Sequence, residues 1–147
     1  MQLQLLLYIL LGYFGFFRFS DLIRVALKDV VVSPDNSFMT ILLRCSKSDI
    51  YSDGQNVVIA ANINYRNICP VTLYNVYIAR LKLYKGCDNN TLLLKNVNVK
   101  ANVAMKYERL TALFRKMLTG LVSDTKSYRL LYIVCALGVQ QQRAIGG

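Results

Sequence analysis

The first 17 residues are almost entirely apolar, and Arg18 ends this run. Helix-start residues follow at once: Ser20 is a favoured N-cap, and Asp21 would place negative charge in the first helical turn. These signals predict a helix over residues 22–27. Arg18 would then lie at a corner between two apolar helices, with its base held and its guanidinium pointing outward. A guanidinium is a planar, permanently charged donor that suits a phosphate.

The apolar run itself has three interpretations: signal peptide, membrane anchor or core helix. It lacks a positively charged start and a small-residue cleavage pattern, and it is short for a membrane-spanning helix. Leu3, Leu7 and Leu10 recur at helical spacing, which favours a buried core helix. The alternative stays open: a basic membrane-associated or secreted protein with residues 1–17 as anchor or signal.

The charge balance points to an anionic partner. The 147 residues contain 18 Lys and Arg against 8 Asp and Glu, a net charge of +10. Such a basic chain favours polyanions, nucleic acid first and an anionic membrane surface second. An ordinary basic protein without such a partner is the other interpretation.

Several kinds of chemistry are disfavoured by residue usage. The chain has no histidine, so it lacks the usual general base, the usual metal ligand and any Ser-His or Cys-His dyad. The four cysteines are scattered without a Cys-x-x-Cys pair, which argues against a zinc site. They are expected to be free thiols in a reducing compartment. We expect no metal and no cofactor.

Strand and helix signals predict an α+β fold in a single domain over residues 1–147. Strand-forming stretches separated by turn residues predict a three-stranded antiparallel sheet at about residues 29–61. Pro70 is in the favoured first-turn position of a helix that Gly86 would end. A further amphipathic helix is predicted over residues 105–118.

Two motifs resemble tyrosine recombinases, the phage-integrase family. Gly-x-x-Arg-x-Ser-Asp-Leu over residues 15–22, followed by an apolar helix and Lys-Asp-Val over residues 28–30, resembles that family's first catalytic box. Cys-Pro-Val over residues 69–71, followed by Leu73 and Tyr77, is similar to the Cys-Pro-Val and Leu-x-x-Tyr helix of the crypton-like transposon branch. The resemblance implies a mainly helical integrase-like catalytic core with the small sheet described above.

The resemblance also implies roles for four residues. Arg18 and a second arginine would hold the scissile phosphate, where donors stabilise the charge that grows in the transition state. Lys47, in a Ser-Lys-Ser-Asp segment similar to one on a β-hairpin of the family, would protonate the leaving 5′ oxygen. Lys126 and Arg129 would occupy the second box, with Lys in the position of a family His. The implied DNA contacts are Arg18, Arg44, Lys47 and Arg129.

The second box has two alignments, and both stay open. An ungapped alignment places Asp124 and Ser127 in the catalytic positions and loses the second arginine. In neither alignment does a tyrosine of this chain occupy the nucleophile's expected place.

We therefore expect a recombinase-like catalytic domain that is incomplete at its C-terminus and lacks an N-terminal core-binding domain. It would bind double-stranded DNA, with other recombinase protomers as further partners, in DNA recombination or integration. Lacking the nucleophile, it would not cut DNA alone. The expected location is the nucleus for a eukaryotic transposon-derived protein, and otherwise the cytoplasm.

Overall fold

The structure is a computed structural model that describes residues 2–44, 54–83 and 86–121. These residues form an α+β fold with a three-stranded antiparallel sheet in the order β1-β2-β3, as the sequence predicts for residues 29–61. The helices are α1 (Gln2–Gly15), α2 (Phe19–Leu22), α3 (Pro70–Leu81) and α4 (Tyr107–Leu121), and the strands are β1 (Val30–Val32), β2 (Phe38–Leu43) and β3 (Gln55–Ala60).

Helix α1 lies in the core, as predicted, but of the three leucines whose spacing predicted it only Leu7 is buried, and Leu3 and Leu10 are half-buried. Leu5, Leu7 and Leu11 are buried, and the helix packs against α3 and β3. Within the described ranges no helix is both long enough and apolar enough to cross a membrane.

A buried side chain on α1 also makes polar contacts with the core. The Gln4 amide nitrogen donates to the carbonyl oxygen of Lys95 at 2.7 Å and to the Tyr77 hydroxyl at 3.2 Å. Tyr77 in turn donates to the carbonyl oxygen of Leu93 at 2.6 Å. Because buried polar groups are costly without partners, these bonds fix α1 against α3 and the segment that follows it.

The sheet alternates inward and outward residues. Met39 and Ile59 are paired across β2 and β3 and face the core, where both are buried. On the opposite face, Val31 and Val58 are 64% and 63% exposed. The β1–β2 turn is tight, because Asn36 adopts a positive φ of 57° that asparagine tolerates well. The predicted turn at residues 33–37 is confirmed.

The predicted helix over residues 22–27 is wrong. Helix α2 ends at Leu22, and its N-cap is Arg18 rather than Ser20. The reason is long-range backbone pairing. The Leu93 N–H donates to the Val25 carbonyl oxygen at 2.8 Å, and the Leu27 N–H donates to the Thr91 carbonyl oxygen at 2.9 Å. Backbone groups that a helix would need are thus paired with a distant segment, which overrides local helix propensity.

Helix α3 begins as predicted, with Pro70 at its first turn, but it ends at Leu81 rather than at Gly86. Its core side carries Val71, Tyr74 and Tyr77, all buried. Burial raises the pKa of Tyr74 to about 12.

The chain divides into two compact units, Met1–Lys106 and Tyr107–Gly147. Helix α4 begins the second unit, and its Leu110, Phe114 and Leu118 are buried at the helical spacing that the sequence predicts. That residues 1–147 form a single domain stays a prediction.

Gly15 tests the packing at the end of α1. A Cβ at this position would lie 2.4 Å from a ring carbon of Phe17, whereas a Cβ at Gly12 would meet only the Phe17 carbonyl oxygen at 3.8 Å. Gly15→Ala should lower the free energy of unfolding by about 1–3 kcal/mol through overpacking. Gly12→Ala, the matched control, should be neutral or stabilising by up to about 1 kcal/mol. Urea unfolding measures both, and equal effects would contradict the packing argument.

The Asp35 carboxyl group in the β1–β2 turn makes the free energy of unfolding depend on pH. Hydrogen bonds from the hydroxyls of Ser33 and Ser37, and from the Ser37 N–H, lower the pKa of Asp35 from 3.8 to about 2. A lowered native pKa stabilises the fold above pH 3.8, and this contribution is lost as the pH falls toward 2. Stability curves measured against pH should therefore converge for the wild type and Asp35→Asn over this interval. Curves that stay parallel would contradict the prediction.

Candidate nucleic-acid interface

Arg18 lies at the corner between α1 and α2, where its backbone is held on both sides. Before it, Phe16 adopts a positive φ of 54° and the Phe17 ring is buried against Gly15. After it, the N–H groups of Asp21 and Leu22 donate to the Arg18 carbonyl oxygen at 3.1 and 3.2 Å. The side chain is half-buried. The corner that the sequence predicts is therefore present, although the helix after it is shorter.

Asp21 does not neutralise the Arg18 guanidinium. Its carboxylate accepts the backbone N–H of Arg18, at 3.4 Å. Among the described residues, no carboxylate forms a salt bridge with the Arg18 side chain. The guanidinium therefore keeps its donors for an anion from outside this part of the chain.

Arg44 has a structural partner. Its Nε donates to the Asp29 carboxylate at 2.7 Å, and the Asp29 side chain is 3% exposed whereas that of Arg44 is 58% exposed. The same carboxylate accepts the Ala26 N–H at 3.0 Å. Arg44 thus compensates a buried negative charge at the start of β1. A DNA contact by Arg44 stays a prediction, and its pair with Asp29 gives it a second role.

The other predicted site residues lie outside the described residues. These are Lys47, Lys126 and Arg129, together with Asp124 and Ser127 of the alternative alignment. That the two arginines and Lys47 converge on one phosphate therefore stays a prediction.

The structure adds basic residues that the sequence interpretation passed over. Residues 54–83 contain no Asp or Glu. Their three basic side chains, those of Arg66, Arg80 and Lys82, are all exposed. Tyr65, next to Arg66, is 67% exposed, and an exposed aromatic beside a cation is typical of nucleic-acid surfaces. The absence of Asp and Glu from residues 54–83 is the sequence feature that indicates these cations.

Cys69 is the N-cap of α3, and its thiol is buried. Burial alone would raise its pKa, but hydrogen bonds from the side chain and N–H of Thr72, and from the Asn62 and Val71 N–H groups, lower the pKa below its usual value.

Within residues 2–44, 54–83 and 86–121, no group of three or more His, Cys, Asp or Glu side chains is arranged to hold a metal ion. Arg18 and the exposed basic residues are thus the groups best placed for contact with an anion.

Comparison with known proteins does not assign the chain to a family. No family model matches the chain, and no curated protein matches it.

The Arg44–Asp29 pair predicts a coupled effect on stability. Arg44→Ala should lower the free energy of unfolding by about 1–2 kcal/mol, less than for a fully buried pair because Arg44 is largely exposed. In the background of Asp29→Asn the same change should cost much less, because the buried charge is gone. Urea unfolding of the four proteins measures the coupling, and an equal cost in both backgrounds would contradict it.

Proposed function

We propose that this chain is a DNA-binding domain of the tyrosine-recombinase type, in which Arg18 contacts a phosphate of the DNA backbone. The observation that carries the proposal is the state of Arg18. Its backbone is fixed at the α1–α2 corner, its side chain is half-buried, and it forms no salt bridge with a carboxylate of the described residues.

Arginine in this position suits phosphate recognition for two reasons. A guanidinium offers parallel N–H donors that match two phosphate oxygens, and such charge-assisted bonds are stronger than neutral ones. A side chain whose backbone is already fixed also loses less conformational entropy on binding than a side chain on a flexible loop.

The overall charge supports the same partner. The net charge of +10 and the exposed cations of residues 54–83 would attract a polyanion and release its counterions on binding. Attraction of this kind is independent of DNA sequence, so it accounts for binding and not for choice of site.

The proposed activity is binding, in a setting of DNA recombination or integration. Lys47, Lys126 and Arg129 remain proposed as further phosphate and proton-transfer groups, and no residue is assigned as the nucleophile. The proposed location is the nucleus if the protein derives from a eukaryotic transposon.

Fluorescence anisotropy with a labelled DNA duplex tests the role of Arg18. Arg18→Ala should weaken binding roughly tenfold and reduce the slope of log affinity against log salt by about one. Arg80→Ala removes the same charge from an exposed position on α3 and is the matched control, for which we expect a smaller loss. Arg18→Lys, which keeps the charge but not the fork, should fall between the wild type and Arg18→Ala.

Two results would contradict the proposal. Binding that does not change with salt would remove the electrostatic basis. Equal losses for Arg18→Ala and Arg80→Ala would mean that net charge matters and the α1–α2 corner does not. Circular dichroism melting curves establish that each variant is folded before its affinity is interpreted.

A further inference from the structure

Lys95 is a buried cation outside the proposed DNA-binding corner. It is 8% exposed, and its Nζ donates to the carbonyl oxygen of Lys100 at 3.2 Å. No carboxylate of the described residues forms a salt bridge with it. An ammonium group has three N–H donors, and burying its charge without a counterion is costly.

Lys95 is one of the residues that line a cavity of about 140 Å³. Lys100 also lines it, together with the half-buried Cys87, the exposed Asn98 and the buried Thr91, and three apolar residues complete the wall. The lining contains two lysines and no acidic residue. This composition favours an anion.

The size of the cavity limits its occupant. A cavity of about 150 Å³ accepts a molecule of the size of benzene, whereas sites for drug-sized ligands start at about 300 Å³. The volume at Lys95 therefore matches a single small group.

We propose that this cavity binds a phosphate group, as inorganic phosphate or as a small phosphate monoester, with Lys95 as its buried counterion. Phosphate at neutral pH carries up to two negative charges and accepts several hydrogen bonds. It would provide the countercharge that Lys95 lacks among the described residues. The site does not depend on Arg18, so this inference stands apart from the proposed DNA binding.

Thermal unfolding with added ligand tests the site. Inorganic phosphate and glycerol phosphate are the two probes, and sodium chloride at equal ionic strength is the reference. A ligand that binds only the native state raises the Tm, by about 4 °C or more when its concentration greatly exceeds Kd. We expect this rise in the wild type and not in Lys95→Met, which keeps the side-chain length without the charge. Lys106→Met, at an exposed lysine, should behave like the wild type.

Alkylation of Cys87 gives a second, local measurement. Peptide mass spectrometry can follow this thiol separately from the other cysteines, and phosphate in the cavity should slow its alkylation in the wild type but not in Lys95→Met. A rise in Tm by the monoester alone would assign the site to a small organic phosphate. The proposal is overturned if neither probe raises the wild-type Tm, if Lys95→Met responds equally, or if the alkylation rate at Cys87 does not change.

Discussion

A single buried amide joins three parts of the first unit. Gln4 on α1 donates to Tyr77 on α3 and to the carbonyl oxygen of Lys95, while Tyr77 donates to Leu93. In a dry interior such bonds are directional and costly to break, so they fix how α1 lies against its neighbours where apolar packing alone would allow sliding. Everything that α1 carries at its C-terminal end, including the corner at Arg18, depends on this placement.

Arg18 and Arg44, two of the arginines of the first unit, differ because their surroundings differ. Arg44 is paired with a carboxylate that is almost fully buried, so its main contribution is to the fold. Arg18 follows a buried phenylalanine and precedes a short helix, and the nearby Asp21 carboxylate bonds to backbone rather than to the guanidinium. Two arginines of equal formal charge thus differ in their pairing, because the Asp29 carboxylate binds the Arg44 side chain and the Asp21 carboxylate binds the Arg18 backbone.

How much the sequence predicts depends on the range of the interactions that decide each element. Pro70 and the Ser33–Ser37 turn act within a few residues, and the start of α3 and the antiparallel sheet follow from such local signals. The short α2 could not be predicted, since Val25 and Leu27 pair with residues more than sixty positions away. The pairing of Arg44 with Asp29, fifteen positions earlier, and the burial of Lys95 likewise follow from tertiary packing and not from local signals. For the site, the sequence predicts the corner at Arg18, while the structure shows that the Asp21 carboxylate binds the Arg18 backbone N–H and not the guanidinium.

The position of α1 in the core has a consequence for synthesis. Gln4 leaves the ribosome 73 residues before Tyr77 and 91 before Lys95. At typical elongation rates of about 5–20 residues per second, Gln4 waits roughly 4–15 s for Tyr77 and roughly 5–18 s for Lys95. During that interval the leucines of α1 are exposed to chaperones and to other nascent chains. The first unit must therefore close late, and its yield in the cell should be limited by the fate of the nascent chain as much as by the stability of the finished fold.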